Sequence, residues 1–400
     1  MMYKGLTEEL ARKTDSRILL AVIDGVGDVS NAELGGRTPL EAAETPNLDR
    51  IASESALGLH IPVSPGITPG SGPAHLALFG YDPVAFDVGR GVLAALGMEF
   101  DLEYGDLVAR INFCTVDDDG VVTDRRAGRI STERCIKLVE LLSDIEIRDV
   151  ETFVFPVKQH RACIVFRGEG LDDNIEDTDP GLTGEKPVNV TGPGKSARVV
   201  REFIIEAGRI LHRKHPANFI ILRGFSLYAE FPSIRDCFRL TPAVAALYPM
   251  YKGVARLAGM DVLKCEPEDL DGQARAAANA LESGHDFIFL HHKPADSAGE
   301  DGNVPAKIKA IEEFDRHFPS FLKLGFDVVC VTGDHSTPCP MKLHSWHPVP
   351  VLINGGPQRV GYSKVFSERE ALSGALGSFR ATDLMPLLLA SAGKLAKFGA

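Results

Sequence analysis

Three polar clusters in the chain have the residue types and spacing that chemistry needs. The first is Gly70-Ser71-Gly72-Pro73-Ala74-His75, followed by the apolar Leu76-Ala77-Leu78-Phe79. It reads as a turn feeding a short helix, with Ser71 at the N-terminus, where unpaired N–H groups favour an anion such as phosphate. The same position equally describes an ordinary serine cap. The second is Asp296-Ser-Ala-Gly-Glu300-Asp301-Gly302. Acids grouped after a strand bind divalent cations, although alone such a group also makes a solvated turn. The third is Asp334-His335, with His344 and His347 close behind. Carboxylate and neutral imidazole are both good ligands for Zn²⁺ or another transition metal. With Asp24, these residues amount to one serine hydroxyl plus donors for two cations, the equipment for phosphoryl transfer. A fourth stretch, Asn189 to Ser196, ends like a phosphate-binding loop. It has Asn189 where that pattern needs glycine, and Pro193 removes a backbone N–H, so it reads as a turn entering a helix.

The elements around these clusters explain how distant residues could meet. Arg17 to Asp24 is an apolar run ending in an acid, the pattern of a buried parallel strand with Asp24 at its tip. Asn218 to Leu222, Asp286 to Leu290 and Asp327 to Thr332 have the same form. Between them lie helical periods, including Pro305 to Leu322, which sets Ile308, Ile311, Phe314, Phe318 and Leu322 on one stripe, and Ser196 to His212. Strands alternating with helices predict an α/β fold with a parallel sheet, whose carboxyl ends collect functional groups. Residues 90–240 differ in texture, with shorter alternating strands at 107–113, 152–157 and 162–167 and most of the basic clusters. They are expected to form an inserted α+β substrate domain within a metal-binding domain of residues 1–89 and 241–400.

Composition narrows the class further. The 400 residues are 44% apolar and 24% charged, the balance of a soluble globular protein, and enough chain for two domains. A net charge of −12 disfavours a nucleic-acid binder, yet a local arginine cluster can still hold a small anion. The seven cysteines are scattered without a CxxC pair, which fits a reducing compartment. No apolar run approaches the ~20 residues of a membrane span, and the charged start lacks a signal-peptide core, so a cytoplasmic protein is expected.

Several stretches together resemble the archaeal-type cofactor-independent phosphoglycerate mutases of the alkaline phosphatase superfamily. They are Ile23 to Asp28, Gly66 to Pro83, Asn112-Phe113, Asp124 to Arg129, Asp177 to Pro180, Asp296 to Gly302, Thr332 to His335 and His344 to Pro350. The resemblance spans nearly the whole chain and implies an alkaline-phosphatase-like metal domain carrying an inserted substrate domain. It implies interconversion of 3-phosphoglycerate and 2-phosphoglycerate through a phosphoserine, with two divalent cations and no 2,3-bisphosphoglycerate. On the matching positions, Ser71 is implied as the nucleophile. Asp24, Asp334 and His335 are implied as ligands of the cation that also holds the serine oxygen, and Asp296 and His344 as ligands of the second. Many relatives carry histidine where Glu300 stands; an oxygen donor there favours Mn²⁺ or Mg²⁺ over Zn²⁺ or Co²⁺.

Holding glycerate requires a carboxylate clamp, for which arginine forks are suited. Arg110, Arg125, Arg126, Arg129, Arg161 and Arg223 are the candidates, with Lys252 reaching the phosphate and His75 and Asp124 as proton shuttles or substrate contacts. A related phosphatase or phosphotransferase would use the same serine and metals, and a non-catalytic relative would keep only the ions.

Overall fold

The computed structural model describes residues 2–86 and 88–399, which divide into two compact units. The first comprises residues 1–87 and 232–400, the second residues 88–231.

An eight-stranded sheet runs through the first unit in the order Gly377–Arg380, Ala56–Ile61, Val349–Asn354, Val328–Thr332, Ile18–Ile23, Phe287–His292, Pro242–Ala245 and Asp261–Val262. Ile18–Ile23 is wholly buried and pairs in parallel with Phe287–His292 on one side and Val328–Thr332 on the other. Six apolar residues without alternation are what a strand covered on both faces requires. Val349–Asn354 runs antiparallel to both of its neighbours. One core packs Leu19, Ala21, Ile288 and Leu290 against Ile311, Phe314 and Phe318 of the helix Val304–Leu322. Of the predicted stripe, Ile311, Phe314 and Phe318 are buried there, while Ile308 and Leu322 are half-buried.

The register decides where the polar clusters go. Ile23 lies opposite His292, and Val22 opposite Thr332, so Asp24, Lys293 and Gly333 leave three adjacent strands at one edge. Because Val349–Asn354 is reversed, its first residue reaches that same edge, and the segment carrying His344 arrives there too. Ala56–Ile61 runs toward that edge as well, and the chain after it leads into the helix Ser71–Leu78.

The second unit holds a five-stranded sheet. Leu107–Val116 is flanked by Arg161–Arg167 and Phe219–Leu227; Glu151–Lys158 lies beyond Arg161–Arg167, and Val122–Asp124 pairs with the end of Leu107–Val116 itself, all antiparallel. The helices Thr132–Leu142 and Lys195–Leu211 help to cover its apolar face. Two expectations need correcting. The run at 218–222 has the composition of a parallel strand, but it pairs antiparallel with Leu107–Val116; burial on both faces removes the alternation that normally distinguishes the two. Residues 232–240 belong with the first unit rather than the insert, because Pro232 O accepts from Tyr81 Oη and Ile234 N–H donates to Ala258 O. Among the described residues no helix is long and apolar enough to cross a membrane, and all seven cysteines are free and buried.

Candidate metal and phosphoryl-transfer site

Ser71 opens the helix Ser71–Leu78, but Gly70 occupies the cap position and no side chain caps the helix. The hydroxyl is therefore free of the structural duty that sequence alone could not exclude. Instead its Oγ lies 3.3 Å from His335 Nε2. Asp24, Asp334 and His335 have no exposed surface, and their donor atoms form one compact group; Asp296, His335 and His344 form a second. In the first, His335 Nε2 stands 3.1 Å from Asp334 Oδ2 and 3.6 Å from Asp24 Oδ1. In the second, His344 Nε2 stands 3.6 Å from Asp296 Oδ1 and 3.7 Å from Glu300 Oε1. Asp296 and Glu300, one turn apart on the helix Pro294–Asp301, thus point toward the same imidazole.

The protonation states suit cation binding. Burial raises the Asp24 pKa, but Lys293, His291 and His335 outweigh it and hold the group well below the ordinary carboxylate range. Asp334 is also lowered: burial and Asp24 oppose ionisation, while His335 and His75 favour it. Burial depresses the His335 pKa, leaving the neutral form that ligates. Hydrogen bonds assign its tautomer. His335 Nδ1 donates to Thr337 Oγ1 at 3.1 Å, and that hydroxyl donates to Asp296 Oδ1 at 2.6 Å, which leaves the Nε2 lone pair facing Asp24, Asp334 and Ser71. Similarly, His344 Nδ1 donates to Pro69 O at 3.0 Å and leaves Nε2 toward Asp296.

A cation fits this donor set. Asp24 Oδ1 is a buried carboxylate oxygen without a hydrogen-bond partner, and buried Asp334 Oδ2 has only the imidazole nitrogens of His75 and His335 at 3.1 Å, a costly arrangement unless a positive charge satisfies them. Gly25 shows how tightly the two groups are packed. Its φ is +62°, and a Cβ there would lie 2.6 Å from Thr337 Oγ1 and 2.7 Å from Asp296 Cβ.

Other expected site residues take different places. His75 has no exposed surface; its Nδ1 lies 2.8 Å from Ser71 O and 3.1 Å from Asp334 Oδ2, where it can orient that carboxylate. Lys252 sits on the helix Pro249–Leu257, and among the described residues no hydrogen bond or ion pair joins it to the acids. Its neighbour Tyr251 does approach them, stacked on His291 at 3.5 Å between ring centres. His291 Nε2 in turn holds Asp24 Oδ2 at 3.1 Å. Lys293, Thr337, His291 and Tyr251 were not singled out from sequence. Lys293, three residues before Asp296 and just past a strand, was the one whose position could have signalled it.

The second unit gathers the arginines. Arg110, Asn112, Arg161 and Arg223 share a sheet face, since Asn112 lies opposite Arg161 and Arg110 opposite Arg223. Arg161 Nε and Asn112 Oδ1 are buried without partners. Asp179 takes a two-bonded fork from Arg125, at 2.8 Å on each oxygen, and lies 3.4 Å from Arg223. His160, also missed in the sequence, is buried nearby, and burial together with Arg161, Arg110, Arg126 and Arg129 lowers its pKa to about 4. Asp124 is engaged in the backbone: its oxygens accept from Arg126 N–H at 2.8 Å and Gly128 N–H at 2.6 Å. It braces a turn in which Ala127, Gly128 and Arg129 all have positive φ, an arrangement disfavoured for the two non-glycine residues.

Residues 52–218 match the family model described as 2,3-bisphosphoglycerate-independent phosphoglycerate mutase. A Thermosipho africanus protein named "Probable 2,3-bisphosphoglycerate-independent phosphoglycerate mutase" is 48% identical over 98% of both chains. A Thermus thermophilus protein of the same name is also 48% identical over 98% of both. Among solved structures, a Pyrococcus horikoshii protein superposes with a TM-score of 0.84 at 32% identity, covering 98% of this chain and all of that one. The cofactor-independent phosphoglycerate mutase of Thermoplasma acidophilum gives 0.72 at 32% identity, covering 94% of this chain and all of that one. The chain belongs to the 2,3-bisphosphoglycerate-independent phosphoglycerate mutase family.

Proposed function

We propose that this chain interconverts 3-phosphoglycerate and 2-phosphoglycerate by way of a phosphoserine on Ser71, with two divalent cations and without 2,3-bisphosphoglycerate. The observation that carries the reading is the Ser71 hydroxyl, unused by its helix and 3.3 Å from His335 Nε2 beside the buried Asp24 and Asp334 carboxylates. Asp24, Asp334 and His335, with Ser71 Oγ, would hold one cation; Asp296, His344 and Glu300 would hold the other. Bound there, the cations would ease loss of the Ser71 proton and offset charge on the phosphoryl oxygens. The oxygen-rich second set, with Glu300, favours Mn²⁺ or Mg²⁺.

Ser71 Oγ then forms a bond to phosphorus as the bond to the substrate oxygen breaks, and the departing alcohol takes up a proton. Glycerate stays bound and presents its other hydroxyl, whose attack on phosphoserine frees Ser71 and yields the isomer. Retention would fall to arginines: Arg110, Arg161 and Arg223 offer planar forks for a carboxylate, whereas the fork of Arg125 is taken by Asp179. Excluding water would protect the phosphoserine from hydrolysis, which would make the protein a phosphatase. The scattered, unpaired thiols favour a cytoplasmic location.

The test is a mutase assay on chelator-treated protein with each cation restored and no added bisphosphate, alongside intact-mass analysis of protein quenched with substrate. Metal-dependent turnover and a phosphoryl adduct that disappears in S71A are expected. Full activity in S71A would refute the nucleophile, and release of inorganic phosphate instead of 2-phosphoglycerate would favour a phosphatase.

A further inference from the structure

Lys293 follows the strand Phe287–His292 and precedes the helix Pro294–Asp301. Its Nζ lies 3.2 Å from Asp24 Oδ2 and 2.5 Å from Asp296 Oδ2. One ammonium thus contacts one acid from each ligand group. In both acids it takes the oxygen turned away from His335 and His344. Asp24 Oδ1 is left 3.6 Å from His335 Nε2, and Asp296 Oδ1 is left 3.6 Å from His344 Nε2. The contacts of Asp24 are divided sharply: Oδ2 also meets His291 Nε2, while Oδ1 is buried with no partner. The lysine is itself held, with its side chain three-quarters buried and Nζ 5.4 Å from the centre of the Tyr251 ring.

From this geometry we propose that Lys293 is a positioning residue for the two cations. It clamps Asp24 and Asp296 by their outer oxygens and turns their inner oxygens into the two sites. Because one ammonium serves both acids, it also fixes the separation of the ligand groups. The inference rests on the reading of those groups as cation sites.

The proposal differs in sign from its simplest rival. A positive charge beside a cation site repels a dication, so if Lys293 were only a competing charge its removal would tighten metal binding. If it positions ligands, removal weakens binding, because partners that orient ligating groups contribute roughly 10- to 100-fold in metal affinity. Calorimetric titration of Mn²⁺ into the chelator-treated full chain distinguishes the two. K293M is expected to bind about 10- to 100-fold more weakly at both sites, with K293R restoring much of the loss. Circular dichroism checks that each variant is folded. Should K293M fail to fold, K293Q replaces it, since it keeps a hydrogen-bond donor without the charge and is expected to bind more weakly than the parent. Binding by K293M or K293Q as tight as the parent's, or tighter, overturns the proposal. Absence of Mn²⁺ binding by the parent would instead overturn the reading of the acids as cation sites.

Discussion

Lys307 offers a demanding test of how the ligand loops are held. It lies on the helix Val304–Leu322 and has no exposed surface. Its Nζ donates to Asp28 Oδ2 at 2.9 Å, Gly27 O at 3.1 Å and Thr337 O at 2.9 Å. Gly27 and Asp28 belong to the loop after Asp24, and Thr337 to the loop after His335, so one ammonium ties together two loops that carry ligands. K307M keeps a flexible stem of similar shape and removes the charge and all three donors. It leaves the Asp28 carboxylate buried; among its partners at Oδ2, Cys339 N–H at 3.0 Å would remain. Breaking a buried ion pair by removing one partner costs about 3–5 kcal/mol, and the freed carbonyls add to it only where they find no new donor. For a domain of 150–250 residues each kcal/mol shifts the melting temperature by about 2–4 °C, so K307M should melt on the order of 10 °C below the parent. Scanning calorimetry on chelator-treated protein measures this directly. The reasoning assigns most of the loss to the abandoned carboxylate, so D28N/K307M, which neutralises it, should recover stability relative to K307M. A K307M melting temperature indistinguishable from the parent's would refute the argument. So would a double variant less stable than K307M, because the penalty would then not lie in the unpaired charge.

Two further outcomes are expected. The Glu368 carboxylate is held between Asp28 N–H at 3.2 Å and the Thr38 hydroxyl at 2.8 Å, and burial raises its pKa from 4.5 to about 7 despite those bonds. Although the residue as a whole is half-buried, the titrating tip is enclosed. With the folded pKa above the unfolded one, the native state is favoured below pH 4.5, and that advantage is lost as pH rises through about 7. The unfolding free energy of the parent minus that of E368Q should therefore fall by on the order of 3 kcal/mol between pH 4.5 and 8, and a pH-independent difference would refute the assignment. In the second unit, R161M removes a fork whose buried Nε has no partner within the protein. Losing a hydrogen bond to a charged group costs about 1.5–3 kcal/mol, so kcat/KM for phosphoglycerate should drop roughly 10- to 150-fold while Mn²⁺ affinity is unchanged. An unaltered kcat/KM would remove Arg161 from the clamp.

The parts of the site legible in the sequence are those at strand ends. Asp24 and Asp334 follow short, continuous apolar runs of the kind buried strands have, and the parallel-sheet rule then sends both to one edge. Ser71 was recognisable as a helix start, but only the structure shows that Gly70 occupies the cap position. The strand Val349–Asn354 was not read at all, because Pro348 and Pro350 argue against an interior strand. Pro350 is tolerated because the ladder to Val328–Thr332 ends at Val351, and Thr332 Oγ1 donates to the proline's carbonyl at 2.9 Å. Thr337 and His291 escaped notice for another reason. Each acts by holding a ligand rather than by being one, and no residue spacing encodes which oxygen of an aspartate faces inward.

That reversed strand bears directly on the chemistry. In a sheet whose strands all run one way, residues at the functional edge come only from the segments after strands. Here Asp24, Asp334, His335 and Asp296 arrive in that way, whereas His344 arrives from the segment before Val349–Asn354. The reversal places His344 against His335, with their rings stacked at 3.7 Å between centres. His335 is consequently shared by both donor groups, its Nε2 turned to Asp24 and Asp334 and its Nδ1 linked through Thr337 to Asp296. A change at either group must therefore be felt at the other through two short connections, the His335–Thr337 chain and the Lys293 clamp. The two donor groups are in this sense one unit, and Ser71 stands at the end of it that carries the Asp24 and Asp334 carboxylates.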